Sequence, residues 1–336
     1  MGIVVTHDEL PNGYALLEER ELLLKKILSK LLGNKWLSTL FLKPVYVLRF
    51  IYHGLKEDSL LFSRFYPGYH GSTIPSLKSL KAERERIFSQ CQPDFDGIQI
   101  RKDEQYKLLE QFAGYYKEFN PNFEKENSRL YFYNNDMFGF GDAFFLQCIL
   151  RHFIPTKVIE VGSGYSSALM LDTANEFGLD TKFTFIDPYS TTIVQMLENK
   201  PAGQYSLIRQ EIQLVDRGVY ESLGENDVLF IDTSHVVKIG SDLTTLLFAV
   251  LPALPKGVIV HIHDIWYPWE YPEKFLVEGR AYNEIYFVRA FLQFNSDFEI
   301  MFFNSFAEQE FSEFVSETMP RLSENCGNGL WLRKVN

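Results

Sequence analysis

The sequence predicts an α/β protein built on parallel strands, and three observations predict it. Val158-Ile159-Glu160-Val161 is a short apolar strand that runs into Gly162-Ser163-Gly164 and then into the helical pattern Ala168 to Phe177. Phe183-Thr184-Phe185-Ile186 is a second apolar strand, and it ends in Asp187. Val228 to Ile231 and Val258 to Ile262 repeat the pattern, ending in Asp232 and in His263-Asp264, with a helical stretch from Ser241 to Leu251 between them. Short continuous apolar strands alternating with helical patterns mark a parallel sheet covered on both faces.

In chain order, the first distinctive segment is basic. Between residues 22 and 56 there is no acid, but there are seven bases, Lys25, Lys26, Lys30, Lys35, Lys43, Arg49 and Lys56, interleaved with leucines and aromatics. Such a segment suits either a helical extension whose bases form its solvated face or a peripheral contact with an anionic membrane surface. It is not a span, because Lys43, Pro44 and Arg49 interrupt it. A loop rich in Gly, Pro and aromatics follows from Tyr66 to Pro75, and then helical patterns at Ser76 to Gln90 and Asp103 to Phe119. The expected division is therefore 1–65 as a helical, basic-hydrophobic segment, 66–140 as a helical cap and 141–336 as the sheet domain. Ser206 to Arg209, Phe298 to Phe303 and Gly329 to Val335 supply the remaining strands.

Ligands in open parallel sheets bind at the carboxyl ends of the strands. Glu160, Asp187, Asp232 and Asp264 all fall at or near such ends, which is hard to explain as solvated surface. Gly162 and Gly164 let the first turn bend sharply and approach a ligand. The third glycine of the dinucleotide fingerprint is missing, since Tyr165-Ser166-Ser167-Ala168 stands there. Glu160 would repel a phosphate but suits an amine. Asp187 is placed to accept two ribose hydroxyls. His235, just past Asp232, is the first candidate general base, and His263 with Asp232 completes the candidate catalytic set. Tyr133 and Asp142 stand upstream of the glycine turn; Asp142 suits either a role over the site or a helix N-cap after Gly141. Trp266, Tyr267, Trp269 and Tyr271 offer an acceptor pocket or a contact surface.

Acid-x-Gly-x-Gly without a third glycine, Asp187, the strand ending Asp232-x-x-His235, then Leu251-Pro-x-Leu-Pro-Lys-Gly-Val258 and His263-Asp264 resemble the class I S-adenosylmethionine (SAM) methyltransferases. The likeness is to the O-methyltransferase-like branch often found near sugar and polysaccharide genes. It runs from about Tyr66 to Arg333 and includes Tyr131 to Ala143 and Asn283-Glu284-x-Tyr286-x-x-Arg289. One departure is Thr233, where similar chains often have Gly. The resemblance implies a Rossmann-like sheet of seven strands, mostly parallel, with an antiparallel last strand. It also implies SAM as cofactor, with Glu160, Gly162, Gly164 and Ser166 around the methionine end, Asp187 on the ribose and Gln213 beside the adenine. The implied acceptor is a hydroxyl of a small molecule or glycan. Asp232 and Asp264 could hold Mg²⁺ or another divalent cation, as oxygen-rich sites do, but no third oxygen ligand is evident. The competing reading is a non-catalytic SAM-fold subunit that serves assembly through its basic segment.

Composition agrees with these expectations. Lys and Arg total 33 against 44 Asp and Glu, and the net charge of −11 argues against nucleic acid as a partner. Hydrophobic residues make up 46%, ample for a core. Three scattered cysteines without a Cys-x-x-Cys point to reduced thiols and a cytoplasmic setting, with residues 22–56 as the possible membrane contact.

Overall fold

The computed structural model describes residues 48, 51–52, 54–55, 65, 68–88, 97–126, 129–197 and 204–336. The basic segment 22–56 therefore lies almost wholly outside the described residues. The chain divides into two compact units, one ending at Ser79 and one from Leu80 to Asn336. In the first, Phe65 stacks on Tyr69 with ring centroids 4.9 Å apart, and Tyr69 in turn lies 4.2 Å from the ring of His70. Across the boundary between the units, the expected helix from Ser76 becomes two short ones, Leu77–Ala82 and Arg84–Phe88.

The second unit is a seven-stranded sheet: β1 Lys157–Val161, β2 Lys182–Ile186, β3 Tyr205–Ile208, β4 Val228–Ile231, β5 Ile259–Ile262, β6 Phe298–Phe303 and β7 Leu330–Lys334. Its spatial order is β3-β2-β1-β4-β5-β7-β6. β1 to β5 pair in parallel, and β7 runs antiparallel to both its neighbours. This is the Rossmann-like arrangement expected from the sequence, with helices on both faces. β4 and β5 are buried at every position, as strands covered on both sides must be, whereas edge strand β3 has no fully buried residue.

Burial and hydrogen bonding pin the elements to one another. Helix α1, Lys102–Ala113, is joined to β6 because the buried Gln105 Oε1 accepts from Phe303 N at 2.8 Å. The expected continuation of α1 to Phe119 is instead a separate 3₁₀ turn, Tyr116–Glu118, after Gly114. Helix α2, Phe140–Phe153, buries ten consecutive residues from Gly141 to Leu150, and helix α3, Tyr165–Phe177, packs against it. At the amino ends of the strands, Asp227 Oδ1 accepts from Thr156 N at 2.9 Å and Lys157 N at 2.7 Å, tying β1 to β4.

Register does the rest. Val161 lies beside Ile186 and Ile231, and Ile231 beside Ile262. The residues that follow, Gly162, Asp187, Asp232 and His263, therefore leave the sheet at one level along one edge.

Candidate active site

Two groups of residues occupy that edge. The first surrounds the turn between β1 and α3. Gly162 has φ +83°, and a Cβ there would sit 1.7 Å from the carbonyl oxygen of Asp232. Gly162 is thus demanded by the contact between the ends of β1 and β4. Gly164 differs: a Cβ built on it meets nothing within 4 Å among the described residues. Space at such a position suits close approach of a ligand.

Glu160 is fully buried. Ser166 Oγ donates to its Oε1 at 2.5 Å, and the Ser167 hydroxyl donates to Oε2. Ser167 Oγ also accepts from Gly164 N at 3.0 Å, so the carboxyl group braces the turn from beneath through the first residues of α3. Burial pushes the Glu160 pKa up to about 8, against the opposing pull of both serine hydroxyls. The sequence suggested that Glu160 would meet a ligand amine; in the structure its two carboxyl oxygens accept from the hydroxyls of Ser166 and Ser167 at the start of α3. Asp187 caps the loop after β2: its Oδ2 accepts from Ser163 N at 3.1 Å, and its Oδ1 from Tyr189 N at 2.7 Å and Ser190 N at 2.9 Å. A carboxylate has about four acceptor sites, so Asp187 retains capacity for a ribose. Gln213 is exposed, with Nε2 3.2 Å from Glu211 Oε2 and 3.2 Å from Gly240 O, and exposed Leu214 and Ile239 flank that contact.

Two buried hydroxyls on this crest, Ser163 Oγ and Thr233 Oγ1, have no hydrogen-bond partner among the described residues. Buried polar groups are normally paired, and each exception calls for an explanation. Together with the room at Gly164 and the placement of Asp187, they fit a cofactor with ribose hydroxyls and a polar amino-acid end.

The second group lies at the ends of β4 and β5. His235 is buried with φ +57°, and its Nδ1 lies 2.8 Å from Glu284 Oε2. Its Nε2 faces Asp232 Oδ1 at 3.4 Å and Asp264 Oδ2 at 3.7 Å. His263 Nε2 is 3.8 Å from Asp264 Oδ1, and its Nδ1 is 3.4 Å from Nε2 of the buried His261. Asp142, the third residue of α2, accepts from Asn328 N at 2.8 Å and contributes charge to the same cluster. The helix is capped by Gly139, so Asp142 is not the N-cap.

Burial lowers the pKa of His235, but hydrogen bonds and charges from Asp232 and Glu284 outweigh it and hold the imidazole well above its usual range. Burial likewise works against His263, which Asp232, Asp142 and Asp264 nevertheless pull upward. Asp232 is held low against burial by the two histidines, and Asp142 is pushed up by burial to about 6. His261, buried beside His263, is held well below the histidine range.

The structure thus brings together Asp232, His235, His263 and Asp264, and separately Glu160, Gly162, Gly164, Ser166 and Asp187; Gln213 is exposed in the turn Ile212–Leu214 that follows β3. Asp232 and Asp264 face one another across His235 Nε2, and among the described residues no group of three or more His, Cys, Asp or Glu side chains is arranged to hold a metal ion. Sequence reasoning did not single out Glu284 as a site residue. An acid opening a helix, here Glu284–Leu292 (α4), reads as ordinary capping; the sequence signal was its place in the Asn283-Glu284 motif, and its burial and its partner 49 residues away distinguish it in the structure.

Residues 159–265 match the family model of a methyltransferase domain. The strand order and the glycine turn fall within or around this match and agree with a methyltransferase domain there. The chain is 31% identical over 182 residues to an uncharacterized protein of Archaeoglobus fulgidus, covering 52% of this chain and 81% of that one, and it belongs to the same family. Among solved structures it is similar to the SAH-bound Podospora anserina methyltransferase PaMTH1, with 15% identity, 79% of this chain and 100% of that chain covered, and a TM-score of 0.40. It is also similar to the O-methyltransferase TomG from Streptomyces achromogenes in complex with SAM, with 12% identity, 77% and 96% covered, and a TM-score of 0.37.

Proposed function

We propose that this protein transfers the methyl group of SAM to a hydroxyl of a small-molecule or glycan acceptor, with His235 receiving the hydroxyl proton at Nε2. The observation that carries this reading is the placement of His235: a buried imidazole, held at Nδ1 by Glu284, whose Nε2 faces Asp232 and Asp264 at the same sheet edge as Gly162 to Gly164. Gly164, Ser163, Thr233 and Asp187 would hold the cofactor, which supplies an electrophilic methyl on a sulfonium and leaves as S-adenosylhomocysteine (SAH). The C–S bond breaks as the C–O bond forms, and the acceptor proton passes to His235. An alcohol is a poor nucleophile at neutral pH, so removing its proton is the contribution the chain must make, typically worth about 10²–10⁴-fold. Asp232 and Asp264 stabilise the imidazolium that results. Trp266 and Tyr282, half-buried near this edge, give an apolar wall for the acceptor; the ring of Tyr282 lies 4.9 Å from that of His235.

The test is methyl transfer from methyl-labelled SAM to a panel of phenols, catechols and glycosides, with wild type and His235→Asn. The expected outcome is label in a hydroxyl acceptor and at least a 100-fold slower rate in the variant, with SAH binding retained. Equal rates in the two proteins would remove His235 from the chemistry.

A further inference from the structure

The loop that carries His235 has no regular structure of its own, yet it holds a histidine in the left-handed region, where non-glycine residues are uncommon. What fixes it is the start of α4. Asn283 N and Glu284 N both donate to His235 O, at 3.1 and 3.3 Å. The Asn283 side chain closes the same loop, with Oδ1 accepting from Val237 N at 2.7 Å and Nδ2 donating to Val237 O at 3.2 Å. Glu284 Oε2 then meets His235 Nδ1 at 2.8 Å. From the other side Tyr271 Oη accepts from Ile285 N at 3.1 Å, anchoring the helix start. Glu284 is only 1% exposed. Burying an acid is costly unless it is paired, and an apolar side chain would serve mere packing better.

We propose that Glu284 is a positioning residue, with its carboxylate holding His235 as the Nδ1–H tautomer so that the Nε2 lone pair is presented to the acceptor. This inference rests on the reading of His235 as the base. Which imidazole nitrogen carries the proton is set by the partner of the other. A carboxylate on Nδ1 therefore leaves Nε2 free to accept a proton, and the backbone clamp from Asn283 and Glu284 holds the loop that carries the ring. Loss of Glu284 frees both the tautomer and the ring.

The test is long-range ¹H–¹⁵N correlation of the full chain labelled with ¹⁵N-histidine, at a pH above the titration of His235, alongside calorimetric titration with SAH. The His235 signals are assigned by their loss in His235→Asn. The wild type is expected to show a protonated Nδ1 and an unprotonated Nε2. Glu284→Gln, whose amide oxygen still accepts a hydrogen bond, is expected to keep that pattern. Glu284→Met is expected to lose it while binding SAH as the wild type does. A protonated Nε2 in neutral wild-type His235 overturns the proposal whether or not Glu284→Met folds. So does an unchanged tautomer in folded Glu284→Met. If SAH binds but the tautomer is wrong, only the role of Glu284 falls; if the wild type binds no SAH, the methyl-transfer reading falls and takes this inference with it.

Discussion

Alanine at Gly162 and alanine at Gly164 are the same chemical change two residues apart, with opposite expected results. At Gly162 the new Cβ lies 1.7 Å from the Asp232 carbonyl oxygen, far inside van der Waals contact. The ends of β1 and β4 must part, straining or breaking the 2.9 Å bond from Asp232 N to Val161 O. That bond is worth about 1 kcal/mol. Alanine at φ +83° costs about 1–2 kcal/mol more. The sum, about 2–3 kcal/mol before any loss of packing, is a large share of a typical stability of roughly 5–15 kcal/mol. It corresponds to a melting point lower by roughly 4–12 °C for a domain of this size. At Gly164 the methyl group meets nothing within 4 Å and φ is −173°, so Gly164→Ala is expected to melt within a few degrees of wild type. It is nevertheless expected to bind SAH at least tenfold more weakly, a loss of about 1.4 kcal/mol, because the methyl group fills space that the cofactor uses. Thermal unfolding followed by circular dichroism and calorimetric SAH titration read the two effects apart. A Gly164→Ala protein that binds SAH like wild type would refute the placement of the cofactor over this turn.

Three further outcomes follow from the same geometry. Glu160 titrates near 8 when folded against 4.5 for an unburied glutamate, so folding favours its protonated form; that stability is full below about pH 4.5 and lost as pH rises through about 8. The shift is worth at most about 5 kcal/mol, and Glu160→Gln is expected to flatten the fall in melting temperature between pH 5 and 9; an unchanged slope would show that Glu160 does not carry it. Only neutral His235 can take a proton, and its pKa is raised, so methyl transfer is expected to climb with pH on the alkaline side of 7; a rate already level at pH 6 would contradict this. Because His235 Nε2 stands between Asp232 and Asp264, turnover in excess EDTA is expected to match that of untreated protein, and activity abolished by EDTA and restored by Mg²⁺ would assign the two carboxylates to a metal instead.

The sheet was legible because its central strands are buried on both faces. Val158 to Val161, Val228 to Ile231 and Ile259 to Ile262 have to be continuous apolar runs, and an acid or histidine just past such a run marks the ligand edge. Helix limits were harder to read. Asp142 suited either a place over the site or an N-cap after Gly141; α2 starts at Phe140, and Asp142 accepts from the Asn328 amide and joins the charged cluster. The two glycines look alike in sequence, and only three dimensions show that one serves the fold and the other leaves open space. Glu160 was recognisable as an unusual acid, but not that two serine hydroxyls one turn later would bury it. Glu284 was invisible as a site residue because its partner comes from a loop on the far side of β5 in sequence.

The most direct test of the central claim is calorimetric titration of wild type and Asp187→Ala with SAH, with circular dichroism to verify that both are folded. Micromolar-range binding by the wild type, weakened at least tenfold in the variant, is the predicted result, since the proposed site places the ribose on Asp187, which also holds Ser163 N. A folded wild type that binds neither SAH nor SAM would contradict it.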